Sequence, residues 1–268
     1  GGGSASGGAA LALNFLGRTA ADADSRKVVK AEVVNSIVRA SGTALVNAYS
    51  TSLIESIGVA AGVSGTSAIS GSNATNLLED EITAAWAGSS FVSSNTLTVS
   101  ARQAAEINSL AGNVSGSMGA AVGAAVAVNR IGTATTATLV GETYARFNSG
   151  LGYWTLNADD LVLSAESDNQ INTVAVGMSA GSTGVQGSVA VSAIDSQTHA
   201  TLGADGYVTN VSASDSVAVT ANSRDRIRAL AGAVGLGATG VGAAGGVLTN
   251  IISSDTSAGI MGFDSHVN

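Results

Sequence analysis

The 268-residue sequence contains no cysteine and no proline. The lack of cysteine excludes disulfides, thiolate metal ligands and a cysteine nucleophile. Aromatic residues make up only 4% of the chain, so the usual core of large side chains is not expected. Lys27 and Lys30 are the only lysines, and the net charge is −8. Binding to a phosphate backbone needs a basic stripe, and we therefore expect no nucleic-acid partner.

Small apolar residues are what the sequence has in quantity. Hydrophobic residues make up 45% of the chain, beside 35 glycines, while charged residues make up 11%. A disordered chain needs the opposite balance, so we expect this one to fold. No basic stretch precedes the short apolar run at the start, so we expect no secretory signal there and interpret the chain as a segment of something longer. Residues 231–248 are uncharged but rich in glycine, which argues against a membrane span.

Two markers recur together four times along the chain. The first is aliphatic-x-Ala-x5-Ile, and its alanines are Ala48, Ala101, Ala165 and Ala221. The second is aliphatic-x5-Ala-x-apolar, and it begins 23 to 25 residues after the isoleucine of the first. The large aliphatic residues of the two markers are Ile54, Leu78, Ile107, Ile131, Ile171, Ile194, Ile227 and Ile252. Such co-travelling markers predict a repeat architecture.

The repeats divide the chain into five parts. We assign residues 1–44 to a partial N-terminal repeat and connection, 45–97 to repeat 1, 98–161 to repeat 2 with a long loop at 141–160, 162–217 to repeat 3, and 218–268 to a truncated repeat 4. Asn14 and Leu16 resemble the start of a second marker, although Asp22 and Asp24 stand where small or apolar residues should follow.

Alternation of aliphatic and small or polar residues favours strands over most of the chain. The repeats therefore predict an all-β fold, a parallel β-helix (β-solenoid) in which each coil is completed by its neighbours. Residues 24–41 and 76–87 are the segments with most helical character. The segment 29–37 repeats the first marker only 17 residues before residues 46–54, about a third of a long repeat, so one repeat could form three solenoid turns.

Asparagine recurs two residues before the second marker in most copies. It occurs there as Asn14, Asn76, Asn129 and Asn250, with Ser192 as the exception. Two interpretations stay open. The side chains stack at a coil corner and hydrogen-bond to one another as an amide ladder, or they are unconnected turn residues.

Motifs that could carry catalysis lack their structural context. The glycine fingerprint at 235–240 is followed by a glycine-rich stretch instead of a helix, and so is the G-x-S-x-G match at 177–181. His199 occupies a position held by Thr or Ser in the other copies, and His266 lies near the end of the sequence. The residues therefore favour chance matches, and we predict no enzyme activity and no catalytic residue.

Acidic residues do not form a recognisable catalytic or metal site either. The pairs at 79–81 and 159–160 are expected in solvated connections. Glu106, Asp168 and Asp225 drift by one position between copies, so they form no column of the kind that a polysaccharide-cleaving β-helix needs. Gly203–Gly206 is a lone, imperfect fragment of the calcium nonapeptide. We predict no metal and no cofactor.

The repeats resemble those of very large bacterial surface exoproteins, the leukotoxin-type filamentous adhesins and related β-strand-repeat proteins. The likeness covers about residues 45–262 and is carried by the Val-x-Ala strand, the following isoleucine, the stretch Ala125 to Asn129 and the Thr-Ala tract 133–139. It implies a secreted or surface-exposed β-helical stalk, located extracellularly or at the bacterial cell surface, with adhesion or fibre formation as its role. The family has no catalytic residues to carry over.

We therefore expect a non-enzymatic structural segment of a surface filament or adhesin. Its partners would be neighbouring repeats, copies of itself, or host or bacterial cell-surface ligands. One alternative is a self-assembling extracellular fibre subunit that polymerises through its end coils. Another is an ice- or carbohydrate-binding face built from a flat row of Thr133, Thr135 and Thr138. Ile107, Ile131, Ile171, Ile194, Ile227 and Ile252 are all predicted to point inward.

Overall fold

The computed structural model describes residues 5–17, 26–88, 91–143, 156–204, 207–208, 210–261 and 266–267. These residues form fourteen β-strands and no helix. The strands are β1 Ser6–Leu16, β2 Lys27–Val34, β3 Ile37–Arg39, β4 Thr43–Ser64, β5 Ser67–Ala87, β6 Phe91–Ser117, β7 Ala120–Val140, β8 Glu142–Thr143, β9 Leu156–Gly181, β10 Thr183–Leu202, β11 Tyr207–Val208, β12 Asn210–Gly237, β13 Gly242–Ile260 and β14 His266–Val267.

The strands build two parallel sheets, and the chain alternates between them. Sheet I contains β1, β2, β5, β7, β10 and β13, and sheet II contains β3, β4, β6, β9, β12 and β14. β8 and β11 form a separate antiparallel pair. Interstrand pairing is the expected fate of backbone groups in a chain so rich in valine, threonine and small residues. The prediction of an all-β protein is confirmed.

Each sheet is a stack of long rows. β1 and β2 both pair with β5, at its two ends, and together form the first row of sheet I; β3 and β4 do the same beside β6 in sheet II. Sheet I therefore has five rows. Sheet II has four, and β14 begins a fifth along the start of β12.

The sequence markers lie directly above one another in these rows. Ala48, Ala101, Ala165 and Ala221 are register partners in sheet II, as are Ile54, Ile107, Ile171 and Ile227. Leu78, Ile131, Ile194 and Ile252 are register partners in sheet I. Each long repeat thus contributes one long strand to each sheet, and the hypothesis of three short turns per repeat is wrong.

The N-terminal rows correct a second interpretation. Leu16 pairs with Leu78, and the pairing resumes with Lys27 beside Asp80, so nine residues are inserted between the two halves of this row. Val29 and Ala31 pair with Ile82 and Ala84, which belong to the second marker. The 17-residue spacing therefore joins strands of opposite sheets. Asp22 and Asp24 lie outside the described residues.

The two segments predicted to have helical character are strands. Residues 24–41 contain β2 and β3, and residues 76–87 form the second half of β5. In β5 the alternate residues Leu78, Ile82, Ala84 and Trp86 are buried. Because these positions pack inward and their backbones pair with the rows on either side, packing outweighs the local helix propensity of Ala, Leu and Glu. The predicted loop 141–160 is shorter as well, since β9 begins at Leu156.

The space between the sheets is filled in layers along the strand direction. An apolar layer around Trp86, Leu97 and Leu161 lies nearest the longer connections. A layer of isoleucine and leucine contains Ile54, Leu78, Ile107, Ile131, Ile171 and Ile194. A layer of alanines, including Ala74, Ala111 and Ala175, lies nearer the short turns. Polar layers separate these three, so the core alternates between apolar and hydrogen-bonded cross-sections.

The half of the molecule next to the short turns has an inverted distribution of side chains. Its inward positions hold Ala, Gly and Ser with Asn113 and Gln186, and the only larger apolar one is Leu248 in the last row. Its large apolar side chains point outward instead, as the exposed Ile57, Ile69 and Val114 show. The four stretches that form this half, residues 56–78, 107–129, 169–194 and 229–254, contain no Asp, Glu, Lys or Arg.

Candidate functional site

The isoleucine positions form the most regular column of large side chains. Ile107, Ile131 and Ile171 are fully buried, and Ile194 is 1% exposed. Ile227 is partly buried against this layer. Ile252 is 50% exposed, so the expectation that all six isoleucines are enclosed is wrong for this residue. It occupies the same register position as Ile194, but it lies in the last row of sheet I, where no described row covers it.

The recurring asparagines form an amide ladder. The Nδ2 of Asn14 donates to the Oδ1 of Asn76 at 2.9 Å, and the Nδ2 of Asn76 donates to the Oδ1 of Asn129 at 2.6 Å. Asn129 then donates to the hydroxyl of Thr173 at 2.7 Å, and Thr173 shares a 2.9 Å hydrogen bond with Ser192. Asn250 pairs in register with Ser192. The ladder lies within the strands, facing the opposite sheet, and not at a corner as predicted.

A buried carboxylate lies one layer away, near the first rows. The side chain of Asp80 is fully buried, and its Oδ2 accepts a 2.6 Å hydrogen bond from Ser52. The Nζ of Lys27 lies 4.0 Å from the same oxygen and donates to the hydroxyls of Ser50 and Ser52 at 2.8 and 2.9 Å. The expectation that residues 79–81 lie in a solvated connection is wrong, because they belong to β5. Since the carboxylate is enclosed, this cluster has no open face for a substrate.

A similar cluster surrounds Asp225 near the last rows. Its Oδ1 accepts from Asn169 at 2.7 Å, and its Oδ2 accepts from Ser196 at 2.6 Å and from Ser223 at 3.2 Å. The same polar layer connects the two clusters, because Asp80, Thr133 and Ser196 are successive register partners. Hydrogen bonding of this kind offsets the cost of enclosing a carboxylate between sheets.

A third polar group occupies the uncharged half. The amide of Gln186 donates to the Oδ1 of Asn113 at 2.6 Å, and Asn113 donates back to the Oε1 of Gln186 at 3.4 Å. A Cβ at Gly123 or Gly177 would overlap these two amides. Glycine at these two positions therefore leaves the room that the amide pair needs.

Three residues at the outer face of sheet I have the chemical types of a hydrolase triad. The Nδ1 of His199 is 2.7 Å from the hydroxyl of Ser257, and its Nε2 is 3.9 Å from Asp255. The serine is bound to Nδ1 and the carboxylate lies nearer Nε2, the reverse of a serine hydrolase. An oxyanion hole also needs converging N–H donors, whereas the backbone of β10 is paired with strands on both sides. Sequence reasoning considered His199 without these neighbours, which register alone brings together.

The other candidate motifs lie in strands or turns. Ser179 of the G-x-S-x-G match is fully buried in β9, and the glycine fingerprint covers the end of β12 and the turn before β13. Glu106 and Asp168 lie on the outer face of sheet II while Asp225 points inward. Asp159 and Asp160, predicted in a connection, lie in β9 and accept hydrogen bonds from Ser214 and Ser216 at 2.8 and 2.5 Å.

The predicted threonine row does not form a flat surface. Thr133 and Thr135 are buried between the sheets, whereas Thr138 lies on the other side of β7 and faces outward. The alternation of a strand turns an odd spacing to the opposite face. The side chain of His266 lies outside the described residues.

The outer face of sheet II carries a surface without a single polar side chain. We call it the apolar patch, and it consists of four outward positions in each of four strands. Its members are Ile57, Val59, Ala61 and Val63 of β4, Leu110, Gly112, Val114 and Gly116 of β6, Val174, Val176, Met178 and Ala180 of β9, and Leu230, Gly232, Val234 and Leu236 of β12. An exposed apolar patch of several hundred Å² on a monomer usually marks a contact surface.

The charged half of the same face is balanced. Between the rows of Leu45 and Val63 its outward residues include four carboxylates and four arginines. They are Glu55, Glu106, Glu166 and Asp168, and Arg102, Arg224, Arg226 and Arg228. A shallow cavity of about 300 Å³ lies among them over Ala104, with Thr51, Leu53 and Gln170 in its lining.

Other site types leave little trace in the described part of the chain. It contains no group of three or more His, Asp or Glu side chains placed to hold a metal ion. Among the same residues no helix is long and apolar enough to cross a membrane, and residues 231–248 are divided between β12 and β13. Comparisons with protein-family models, curated proteins and solved structures find no match for this chain.

Proposed function

We propose that the chain is a parallel β-solenoid that serves as a non-enzymatic structural segment of a secreted bacterial surface filament or adhesin. The observation that carries the proposal is the vertical register, in which the same residue types recur above one another from row to row. Stability in such a stack comes from neighbouring rows, so the architecture extends by adding repeats. The hydrogen-bonded layers are enclosed between the sheets and act in this stack rather than on a ligand.

The cellular setting follows from the sequence resemblance. Repeats similar to those of leukotoxin-type adhesins imply an extracellular or cell-surface location and contact with host or bacterial surface ligands. The absence of cysteine and proline suits a chain that crosses membranes unfolded, since it then folds without disulfide formation or prolyl isomerisation.

The row count speaks against the alternative of a fibre that grows through its end coils. Successive rows alternate between sheet I and sheet II, from β1 and β2 to β13. If the first row of a second copy paired with β13, sheet II would lack the row that follows β12, where the described residues include only β14. Both sheets cannot then be continued at one junction, and an unpaired strand edge would remain.

Electron microscopy and sedimentation of the purified 268-residue chain test this proposal. We expect discrete particles, about 70 Å wide in the strand direction given about 3.3 Å per residue. Filaments of continuous length would overturn the passive segment in favour of the fibre subunit. A far-ultraviolet circular dichroism spectrum dominated by helix would overturn the solenoid itself.

A further inference from the structure

We infer that the apolar patch on sheet II is a self-association surface, and that it packs face to face against the same patch of a second copy about a two-fold axis parallel to the strands. The axis would run between β6 and β9, so that β4 faces β12 of the copy and β6 faces β9 of the copy. This interface is lateral, and it stands or falls independently of the stalk function proposed above.

The inverted distribution of side chains is the first argument. In this half of the molecule, water-exposed outer positions hold Ile57, Leu230 and Leu236, while enclosed positions hold mostly Ala, Gly and Ser. A strand in water buries its larger apolar face. The outer face of this half is therefore built to be covered.

Shape complementarity selects a second copy as the cover. One row of the patch reads Val59, Gly112, Val176, Gly232 across the four strands. The two-fold axis reverses this order, so each valine faces a glycine of the copy. A Cβ at Gly112 or Gly232 would make only ordinary contacts of 3.6 Å or more, so nothing within the chain requires glycine there. The glycines instead leave gaps of the size that a facing valine fills.

Charge complementarity supports the same axis. It places Glu55 opposite Arg228 of the copy, and Arg102 opposite Glu166 of the copy, because these residues occupy matching positions in exchanged rows. The remaining charges, Glu106, Asp168, Arg224 and Arg226, would face uncharged side chains, so no like charges meet. The face carries no net charge, although the whole chain carries −8. Balanced, matched charges favour one orientation over its alternatives.

The area is sufficient for a specific interface. Sixteen outward positions, each covering about 4.8 Å between strands and 6.7 Å along them, project to about 500 Å² on each copy. The two copies together then bury about 1,000 Å² in the patch alone, the size at which a specific interface is expected. Sheets pack face to face in this way about 10 Å apart.

Sedimentation equilibrium of the 268-residue chain at micromolar concentrations tests the proposal. We expect a monomer–dimer equilibrium that Val176→Lys weakens by at least about 100-fold, since it buries an unpaired charge. Val128→Lys is the matched control, because Val128 points outward from the same half on sheet I. A monomeric wild type, or equal weakening by the two variants, would overturn the proposal. Circular dichroism checks that each variant keeps its strands.

Two further variants separate this interface from general stickiness. Gly112→Val makes the patch more apolar but fills a gap, so we expect weaker dimerisation; tighter association would overturn the proposal. Arg228→Glu should weaken the dimer about tenfold, and adding Glu55→Arg should restore it. Failure of this rescue would overturn the two-fold axis. A lipid surface is the other possible cover, and binding of monomers to phosphatidylcholine–phosphatidylglycerol vesicles through Val176 would replace the second copy.

Discussion

Single residues at two positions of each repeat supply most of the large apolar contact between the sheets. Ile107 and Ile131 represent these positions in the central rows, where both are fully buried. Their neighbours in the layers on either side are mostly hydrogen-bonded or small, so the isoleucines have no equivalents that could replace their contacts. The repeat markers identified these residues correctly because a buried position in a stack must be apolar in every row.

Shortening these isoleucines should cost stability according to the row in which they lie. Ile107→Ala and Ile131→Ala should each lower the free energy of unfolding by about 2–5 kcal/mol, because each leaves a cavity. Ile252→Ala should cost about 1 kcal/mol or less, because the side chain is half exposed in the last row. Urea denaturation midpoints measure the difference, with the exposed Ile69→Ala as control. An unchanged midpoint for both central variants would contradict the layered core.

Charge was harder to place from the sequence. The run Glu79, Asp80, Glu81 has the composition of a solvated connection, yet Asp80 is enclosed. Its partners Ser50 and Ser52 lie in the preceding strand of the opposite sheet, and Lys27 follows an insertion of nine residues. No spacing rule within one repeat connects these residues, because the contact depends on the register between three different strands.

At the scale of elements, tight turns on the uncharged side set the rise from one row to the next. β6 and β7 are joined by Met118 and Gly119, and Ala120 donates its N–H to the carbonyl of Thr66 in the preceding turn at 3.2 Å. Thr183 donates to Gly119 in the same way at 3.3 Å. The turns are thus hydrogen-bonded to one another, as the strands are.

Gly119→Ala should disrupt this stack of turns. A Cβ at Gly119 would overlap the carbonyl oxygen of Thr66, which is backbone and cannot rotate away. We expect a loss of about 1–3 kcal/mol in the free energy of unfolding. Gly187→Ala is the matched control, because an added Cβ there meets no atom within 4 Å, and its effect should be neutral or slightly stabilising. Thermal unfolding followed by circular dichroism compares them, and equal midpoints would show that the turn accommodates a side chain.

The strand prediction succeeded and the prediction of element length failed for the same physical reason. Alternation identifies a strand but does not mark its end, and each row continues through stretches such as 43–64 without proline or charge breaks. The outward apolar patch was also missed. Where Val, Ala and Gly occupy both faces, alternation cannot tell inside from outside, and the row-to-row register is needed to do so.

At the scale of the whole molecule, stability should decrease from the central rows to the ends. β7 and β9 have paired strands on both sides, whereas β1 and β13 each have a described partner on one side. Stacks of this kind gain their stability from contacts between neighbours, so end rows open more easily.

Hydrogen exchange followed by mass spectrometry should reveal this gradient. Amides of β7 and β9 should exchange slowest, and those of β1 and β13 fastest. Dimerisation through sheet II would cover side chains without adding backbone pairs, so the gradient is expected in the Val176→Lys variant as well. Uniform protection across the five rows would indicate a single cooperative unit and contradict additive stacking.

The amide ladder also determines how faithfully the chain finds its register while folding. A slip of two residues between rows keeps every side chain on its original face, and a sequence of Ala, Gly, Val and Ser tolerates it over most of a strand. It would, however, set Asn76 beside Ile131 and leave buried amides without partners. Because partners in adjacent rows are 53 to 64 residues apart, the pairing search is long and errors would otherwise persist. The alternation of isoleucine and asparagine layers thus serves as a proofreading device against misaligned rows.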